Sequence, residues 1–407
     1  MTPPRRPRGP FNRRQFIRRT GAFGAAGLSL PAILAACGGD DDEASGTTAG
    51  GAPATSGGTS GASAPGGGGG ELFFENWPEY IDPTEDGVVG TVDRFTEATG
   101  IAMRYTDAFN DNNEYFALIQ PQLGTGETIE PDIIAPTSWL AGRLISLGWV
   151  DKLPLDQVPN TANLRSDLQQ PSWDPTGEYS LPWQTGITGI AYNLDATGRE
   201  LTSVEDLFDP EFNGKIGMLT EMRDTVGLIL LGLGVDPSSL SSFDEAAEAF
   251  EKLAAAKADG QIRAFTGNDY LDDLSTGNFA ACVGWSGDVV QLAIDNPAVR
   301  FIIPEEGGMN WADTMVMPKG GANAAAVAQW MNFVYDPVQA AQITAWVQFV
   351  SPVAGVQEEV AKLDAALAES TLLFPDDETL GRLRAFANLA EDVEAEFDAA
   401  FSEIIGA

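Results

Sequence analysis

Residues 72–105 read LFFENWPEYIDPTEDGVVGTVDRFTEATGIAMRY. The stretch begins with a short apolar strand, Leu72-Phe-Phe. Apolar and small residues then recur at helical spacing, at Val88, Val92, Phe95 and Thr99. Gly100 ends this helix. The alternating positions of a second strand are Ile101, Met103 and Tyr105. A strand, a helix and a strand in this order indicate an α/β domain.

The same pattern continues along the chain. Further apolar strands are predicted at 132–135, 187–192 and 216–219. Helices are predicted at 115–123, 138–146 and 379–405, and the capping box at 242–245 opens another. A chain of 407 residues is long enough for two domains with cores of their own. We therefore expect a two-lobed α/β protein.

The composition excludes several classes of function. Lys and Arg total 23 against 59 Asp and Glu, which gives a net charge of −36. Nucleic acid and anionic membranes are therefore poor partners, and cations are favoured. Solubility in a salty or crowded medium explains the same charge. The chain has no histidine, which excludes Ser-His-Asp triads and His-ligated zinc sites.

The N-terminal segment has the pattern of an export signal. A basic stretch, Asn12-Arg-Arg-Gln-Phe-Ile17, precedes an apolar run rich in Gly and Ala and then Leu34-Ala-Ala-Cys37. This is similar to a twin-arginine signal peptide that ends in a lipobox. The alternative, a transmembrane anchor, needs about 20 apolar residues, more than this run supplies. We predict a signal peptide at 1–37 with lipidation at Cys37, by the twin-arginine or the general secretory route.

Residues 38–70 are almost entirely Gly, Ser, Thr, Ala and Pro apart from a short acidic run. This composition predicts a disordered linker, which as a random coil would span on the order of 30 Å. With Cys37 lipidated, Cys282 has no partner for a disulfide within the chain, and we interpret it as a small core residue.

Five segments of the remaining chain resemble, in order, the spermidine/putrescine-binding proteins of polyamine ABC importers. They are 72–80, 95–101, 203–215, 220–224 and 304–313. The resemblance runs from Leu72 to about Asp377.

The resemblance implies a two-lobed α/β fold like that of type II periplasmic binding proteins. Two crossover hinge segments would join the lobes, near 183–186 and 311–313, with the ligand cleft between them. The implied lobes are an N-terminal one of 71–185 plus 312–355 and a C-terminal one of 186–311 plus 356–407.

Four carboxylates match ligand-binding acids of this family: Glu79, Glu221, Asp224 and Asp313. A protonated amine offers donors and positive charge, so a cleft shielded from water must supply carboxylates. Glu221 and Asp224 are three residues apart, on one face of the first turn of a predicted helix. Acidic residues are also common in the first turn of helices, so the alternative is that this pair has no role in ligand binding.

The aromatic residues of the predicted site are Trp77, Tyr80, Trp139, Trp285, Trp311 and Phe349. Ring faces attract ammonium groups and cover a methylene chain. Thr137 adds a hydroxyl contact. Trp139 and Phe349 stand where the family more often has tyrosine, and Pro78 replaces a small hydroxyl residue. The family's late glutamine contact has no counterpart in this sequence.

We therefore expect an extracytoplasmic solute-binding lipoprotein that captures a polyamine and delivers it to an ABC permease. It would be a monomer on the outer face of the cytoplasmic membrane or in the periplasm, without cofactor, metal or catalytic activity. Three alternatives remain at this point: a binding protein for another organic cation such as a betaine, a carboxylate-pair enzyme such as a glycosidase, and a metal-binding or sensory lipoprotein.

Overall fold

The computed structural model describes residues 70–85 and 87–406. The predictions for the signal peptide, for Cys37 and for the linker up to residue 69 lie outside these residues. Within the described part, no helix combines the length and the apolar character that crossing a bilayer requires. All eleven predicted ligand-binding residues are described.

Eleven strands of the described residues form one sheet. They are β1 (Leu72–Asn76), β2 (Met103–Asp107), β3 (Ile133–Ile134), β4 (Val150–Asp151), β5 (Ser180–Asn193), β6 (Ile216–Leu219), β7 (Ile262–Thr266), β8 (Ala281–Trp285), β9 (Val299–Ile302), β10 (Gly308–Pro318) and β11 (Leu383–Arg384). The strand order is β2-β1-β3-β10-β5-β8-β6-β7, with β4 and β11 also paired to β10 and β9 to β5.

The pairing of β1 explains its sequence. It runs parallel to both β2 and β3, and Leu72, Phe73 and Phe74 are all buried. A strand in a parallel arrangement is covered on both faces, so it appears in the sequence as a continuous apolar run. Around β5 the pairing becomes antiparallel, with β8 on one side and, on the other, β10 followed by β9.

The described residues contain thirteen α-helices. They are α1 (Thr91–Thr99), α2 (Asn112–Leu123), α3 (Ser138–Ser146), α4 (Leu194–Thr197), α5 (Met222–Gly232), α6 (Ala247–Ala258), α7 (Tyr270–Thr276), α8 (Ser286–Asp295), α9 (Ala324–Val334), α10 (Pro337–Val347), α11 (Val356–Leu363), α12 (Asp377–Gly381) and α13 (Glu391–Ile405). Short 3₁₀ helices lie at Leu155–Gln157, Pro159–Asn163, Ser166–Leu168, Val204–Phe208, Pro210–Phe212, Pro237–Ser239, Phe243–Glu245 and Leu367–Glu369.

The predicted helix 138–146 and the predicted strand 216–219 have the bounds of α3 and β6. Helix α1 begins three residues later than its apolar spacing suggests. Val88 pairs with Glu85 in an isolated bridge, and the Asp82 carboxylate accepts a hydrogen bond of 3.0 Å from the backbone N–H of Thr91. This side chain supplies an acceptor at the helix start and fixes it there.

The prediction of one continuous helix over 379–405 is wrong. Only α12 and α13 are helical, and the residues between them include β11. Leu383 pairs with Gly308 of β10, and residues 385–389 line the cleft. The segment is non-helical because its backbone pairs with a strand more than seventy positions earlier in the chain.

Two regions of core flank the middle of the sheet. The first is built around aromatic residues: the Trp330 ring lies 5.2 Å from Phe95 and 6.0 Å from Phe74, between ring centroids. A neighbouring cluster around Leu140 extends it. The second gathers residues of β6, β8, α5 and α6. Cys282 is fully buried in this second core, which confirms its prediction as a core residue.

The C-terminal residues divide between the two cores. Val356 and Val360 of α11 pack in the first core, together with Ala368. Phe397 and Phe401 of α13 pack in the second. The sequence assigned all of 356–407 to the C-terminal lobe, and we propose that residues up to about 368 belong with the N-terminal lobe instead.

Strands β5 and β10 pass from one core to the other. On β5, Trp183 packs in the first core and Ile190 in the second. On β10 the direction is reversed, from Met309 in the second core to Met315 in the first. The two strands pair antiparallel from Ser180 to Thr188 of β5, with one register shift after Asp313 of β10. This is the predicted two-lobed arrangement, with the two crossover segments paired side by side.

Candidate ligand-binding cleft

A cleft lies over the β5–β10 ladder. Its walls are the loops at the carboxyl ends of β1, β2, β3, β6 and β8, the edge at which open α/β sheets bind ligands. It holds about 1720 Å³ of space, counting the part open to solvent, so a small organic molecule fits. All eleven predicted ligand-binding residues line it: Trp77, Glu79, Tyr80, Thr137, Trp139, Glu221, Asp224, Trp285, Trp311, Asp313 and Phe349.

Asp313 forms one end of the cleft floor. It lies on β10 opposite Gln184, and it is only 4% exposed. Its carboxylate accepts hydrogen bonds from Tyr80 Oη at 2.8 Å and from Thr137 Oγ1 at 2.7 Å. Burial raises the pKa of this carboxyl to about 7, although the two hydroxyl donors oppose that shift.

Asp224 lies in the first turn of α5 and is 5% exposed. Its carboxylate accepts hydrogen bonds of 2.8 Å each from Thr188 Oγ1 and from the Trp285 indole N–H. Burial raises the pKa of Asp224 to about 6, against these donors and the charge of Arg223. Within the described part of the chain, neither Asp224 nor Asp313 forms an ion pair with a lysine or arginine.

Trp311 lies between these two carboxylates on the ladder. It is the residue opposite Gly186, and its indole N–H donates to Thr188 Oγ1 at 3.0 Å. A Cβ on residue 186 would come within 2.1 Å of Trp311 Cζ2. Only glycine leaves room for the indole here, so Gly186 sets the ring position over the cleft floor.

Phe349 packs between two other rings of the site. Its ring centroid is 5.4 Å from that of Tyr80 and 5.5 Å from that of Trp311. A Cβ on Gly287 would lie 2.7 Å from Phe349 Cζ, so glycine is also required beneath this ring. Trp77 is fixed separately, because its indole N–H donates to the Ala135 carbonyl at 2.8 Å.

Glu221 differs from the other buried acids because a cation lies beside it. It is the N-cap of α5, one position before the helix rather than inside its first turn. Arg223 Nη1 lies 3.6 Å from a Glu221 carboxylate oxygen, and Arg223 also forms an ion pair with Glu394 of α13. Burial raises the pKa of Glu221 to about 7, with Arg223 opposing. The Arg223 guanidinium carbon lies 3.8 Å from the centroid of the Trp139 ring.

Glu79 occupies the rim of the cleft. It is exposed, and its φ of 57° places it in the left-handed region that non-glycine residues seldom adopt. The preceding Pro78 also lines the cleft. A backbone conformation of this kind is held by its surroundings and is a feature of binding loops.

Sequence reasoning missed several residues that connect the predicted ones. Thr188 joins Asp224 to Trp311, and Asn112 donates to Thr137 Oγ1 at 2.9 Å and approaches Glu221 at 3.5 Å. Glu394 was not singled out either. These residues carry no local pattern in the sequence.

Comparison with known proteins gives consistent matches across most of the chain. The pattern of bacterial extracellular solute-binding proteins matches residues 90–371. The spermidine/putrescine-binding periplasmic protein of Escherichia coli K12 is 26% identical over 316 residues, covering 76% of this chain and 84% of that protein. The putrescine-binding periplasmic protein SpuD of Pseudomonas aeruginosa is 28% identical over 335 residues, covering 77% and 86%.

A solved structure shares the fold. The spermidine/putrescine ABC transporter substrate-binding protein PotD of Streptococcus pneumoniae superposes with a TM-score of 0.68 at 25% identity, covering 82% of this chain and 98% of that one. The predicted two-lobed α/β fold is thereby confirmed. The chain belongs to the family of bacterial extracellular solute-binding proteins.

Proposed function

We propose that this protein is an exported binding protein that captures an aliphatic polyamine in the cleft and delivers it to an ABC importer. The observation that carries the proposal is the cleft floor. Two buried carboxylates, Asp313 and Asp224, lie on either side of the Trp311 indole, and neither has a cationic partner among the described residues. The relatives named above are binding proteins for spermidine and putrescine, which supports the same ligand class.

The chemistry of the floor matches a flexible dication. Each carboxylate is oriented by two neutral donors and keeps lone pairs for an ammonium group. Charge-assisted hydrogen bonds to an ammonium are stronger than neutral ones, particularly away from water. The Trp311 ring supplies an apolar face for the methylene groups between the two charges.

Ligand charge also provides a reason for lobe closure. In the empty cleft, burial raises the pKa of Asp313 and Asp224, so their ionised forms are destabilised there. A bound cation compensates both charges and favours the form in which walls from both lobes surround them. The proposed cycle therefore involves binding and hinge motion, with no bond made or broken.

Isothermal titration calorimetry with an amine panel tests the proposal. We expect a diamine or triamine to bind, and glycine betaine, a zwitterion with one quaternary ammonium group, to bind at least about 100-fold more weakly. Asp313→Asn should weaken polyamine binding about 100-fold or more, because it removes one charge of a buried pair. The matched control is Glu130→Gln, an exposed acid paired with Arg104 at the surface.

A preference for glycine betaine would contradict the proposal. Unaltered polyamine affinity in a folded Asp313→Asn protein would remove Asp313 from the site. Turnover of a glycoside by the purified protein would favour a carboxylate-pair enzyme instead.

Attachment to the membrane is a separate part of the proposal, and it rests on the sequence around Cys37. We expect wild-type protein in the membrane fraction and the Cys37→Ser variant in the soluble exported fraction. If the variant stayed in membranes, an uncleaved helix would be the better explanation. Sedimentation of the soluble variant would test the proposed monomer.

A further inference from the structure

Arg223 connects the two walls of the cleft. Its guanidinium carbon lies 3.8 Å from the centroid of the Trp139 ring. Arg223 belongs to α5, which packs in the second core, whereas Trp139 belongs to α3 and packs beside the first core. A cation over an aromatic face is attracted to it, and more strongly when both are shielded from water. Only 8% of Arg223 is exposed, so this contact across the cleft is well shielded.

The ion pairs of Arg223 lie within one lobe. Glu221 is the N-cap of the same helix, and Arg223 Nη1 lies 3.6 Å from its carboxylate. Glu394 belongs to α13, which also packs in the second core. If the lobes separate, Arg223 therefore keeps both acids and loses the Trp139 ring. Opening at this point leaves no charge without a partner, so the contact can break without the cost of an isolated buried charge.

Glu394 restricts the Arg223 side chain from outside its own helix. The Glu394 carboxylate pairs with Nη2 and Glu221 lies near Nη1, so acids flank the guanidinium on both sides. Ordering a free arginine side chain costs conformational entropy, and these ion pairs restrict it before the lobes meet. Glu394 lies beyond residue 371, the last residue that the family pattern matches. This acid is therefore a feature of the chain that the pattern does not describe.

Two polar contacts join the walls close to Arg223. Asn112 Nδ2 lies 3.5 Å from a Glu221 carboxylate oxygen, and Thr220 Oγ1 lies 3.4 Å from Asp111 Oδ2. Both distances are at the long limit for a hydrogen bond, so each contributes little alone. The cation–π contact is therefore the strongest of these three links between the walls.

We propose that Arg223, positioned by Glu394, holds the two lobes together through the Trp139 ring, so that a fraction of the protein is closed before any ligand binds. The inference concerns the closure step of the proposed function and depends on no particular ligand. Affinity scales with the fraction of the protein in the binding-competent form. The contact therefore raises the affinity for every ligand of the closed form by one common factor.

Double electron–electron resonance on the ligand-free protein tests the inference. Spin labels are placed at Leu118→Cys on α2 and Ile294→Cys on α8, whose side chains are 68% and 67% exposed on different lobes. The background is Cys37→Ser, and the buried Cys282 is not accessible to the label. We expect two distances without ligand, one of them the closed distance calculated from the structure. Saturating diamine should leave only the closed distance.

Trp139→Leu removes the ring and leaves the ion pairs of Arg223 in place. The ratio of closed to open molecules should fall at least about threefold, since a desolvated cation–π contact changes an equilibrium by a factor of up to about 30. The matched control is Arg143→Met, whose guanidinium lies 4.3 Å from the Phe116 ring centroid within the first lobe. It removes a contact of the same kind that does not cross the cleft, so the ratio should stay as in wild type.

Glu394→Gln tests the positioning role. It should lower the ratio at least about twofold in wild type and leave it unchanged in the Trp139→Leu protein, because Glu394 acts through the ring contact. Its affinities for a diamine and for spermidine, measured by calorimetry, should fall by one common factor. Unequal factors would mean that Glu394 contacts the ligand and would overturn its positioning role.

An empty wild-type protein without the closed distance would overturn the inference, and so would an unchanged ratio in folded Trp139→Leu, judged by thermal melting. Either result leaves the proposed function intact. If no amine bound while the ratio still fell in Trp139→Leu, the proposed function would fail and the inference would stand.

Discussion

Two parts of the cleft hold a carboxylate in opposite ways. On the floor, Asp313 is surrounded by the hydroxyl donors of Tyr80 and Thr137, which orient it without neutralising it. On the wall, at the start of α5, Glu221 has the guanidinium of Arg223 beside it. Burial raises the pKa of both carboxyls to about 7. A raised pKa therefore does not distinguish a ligand-binding carboxylate from the other. The difference is that Glu221 already has a cationic side chain beside it and Asp313 has none in the part of the chain that the structure describes.

The largest expected effect concerns pH. Asp313 and Asp224 must be ionised to pair with an ammonium, and the empty cleft raises their pKa values to about 7 and about 6. Affinity should therefore fall as pH falls, by about tenfold per pH unit for each carboxyl below its pKa. Between pH 8 and pH 5 we expect a loss of roughly 100-fold or more in polyamine affinity, measured by calorimetry in two buffers that also report the protons released on binding.

The chain has no histidine, so no imidazole titrates in this interval. A flat profile from pH 8 to pH 5 would contradict the assignment of these carboxyls as ligand contacts. The Asp313→Asn variant should show a shallower profile than wild type, because only one of the two carboxyls remains.

Removing one carboxylate with a cationic neighbour and one without such an ion pair provides the next test. Asp224→Asn should weaken diamine binding about 100-fold, or about 2.7 kcal/mol, because the ligand loses a buried charge partner. Glu221→Gln should change it less than about threefold, because Arg223 already pairs with that carboxylate. Equal losses in the two variants, measured by calorimetry, would show that the two carboxylates do not differ in this way.

A smaller effect is expected when the ring between the carboxylates is moved. Gly186→Ala places a methyl group where the Trp311 indole lies, so the ring must shift. We expect diamine affinity to fall about tenfold, which is the free energy of one displaced aromatic contact. The control is Gly381→Ala, where a Cβ would meet no atom within 4 Å. Tryptophan fluorescence reports the ring shift, and wild-type affinity in Gly186→Ala would mean that Trp311 is not a ligand platform.

The smallest effect is on the stability of the empty protein. Acids whose pKa is raised by folding stabilise the folded state below their unfolded pKa, and this stabilisation is lost as pH rises through the folded value. For Glu221, Asp224 and Asp313 that interval runs from about pH 4 to about pH 7. We expect the free energy of unfolding to fall by at least about 1 kcal/mol from pH 5 to pH 8, seen as a melting temperature lower by about 2 °C or more.

Saturating diamine should reverse this trend, because a bound cation stabilises the ionised acids. The increase in melting temperature on adding diamine should be greater at pH 8 than at pH 5. A ligand-induced shift that was larger at pH 5 would contradict the linkage.

Local patterns in the sequence were sufficient for much of the fold. Helix α3 and strand β6 can be predicted from the spacing of their apolar residues and from the residues that begin and end each element. The region between α12 and α13 could not be predicted in this way, because Leu383 is held by pairing with Gly308. Such pairing depends on residues distant in the sequence, and local propensity contains no information about it.

The site shows the same division. The eleven predicted residues were identified through segments that resemble one family, and the structure brings all of them to one cleft. The connecting residues were missed because their contacts join distant positions: Thr188 bonds Trp311, Asn112 approaches Glu221, and Glu394 pairs with Arg223. A threonine on a strand or an asparagine at a helix start has many structural uses, so neither indicates its partner before the chain is folded.

The ladder of β5 and β10 has a mechanical consequence. Trp311 and Asp313 belong to the strands that connect the lobes, so the floor of the cleft is also the pivot of any opening motion. Points near a pivot move least, whereas the wall residues around Trp139 and Trp285 swing through larger arcs. A ligand bound to the floor would therefore keep its contacts there while the wall residues move away. In the proposed transport cycle, release of the ligand would then require a force or a charge that acts on the β5–β10 ladder itself.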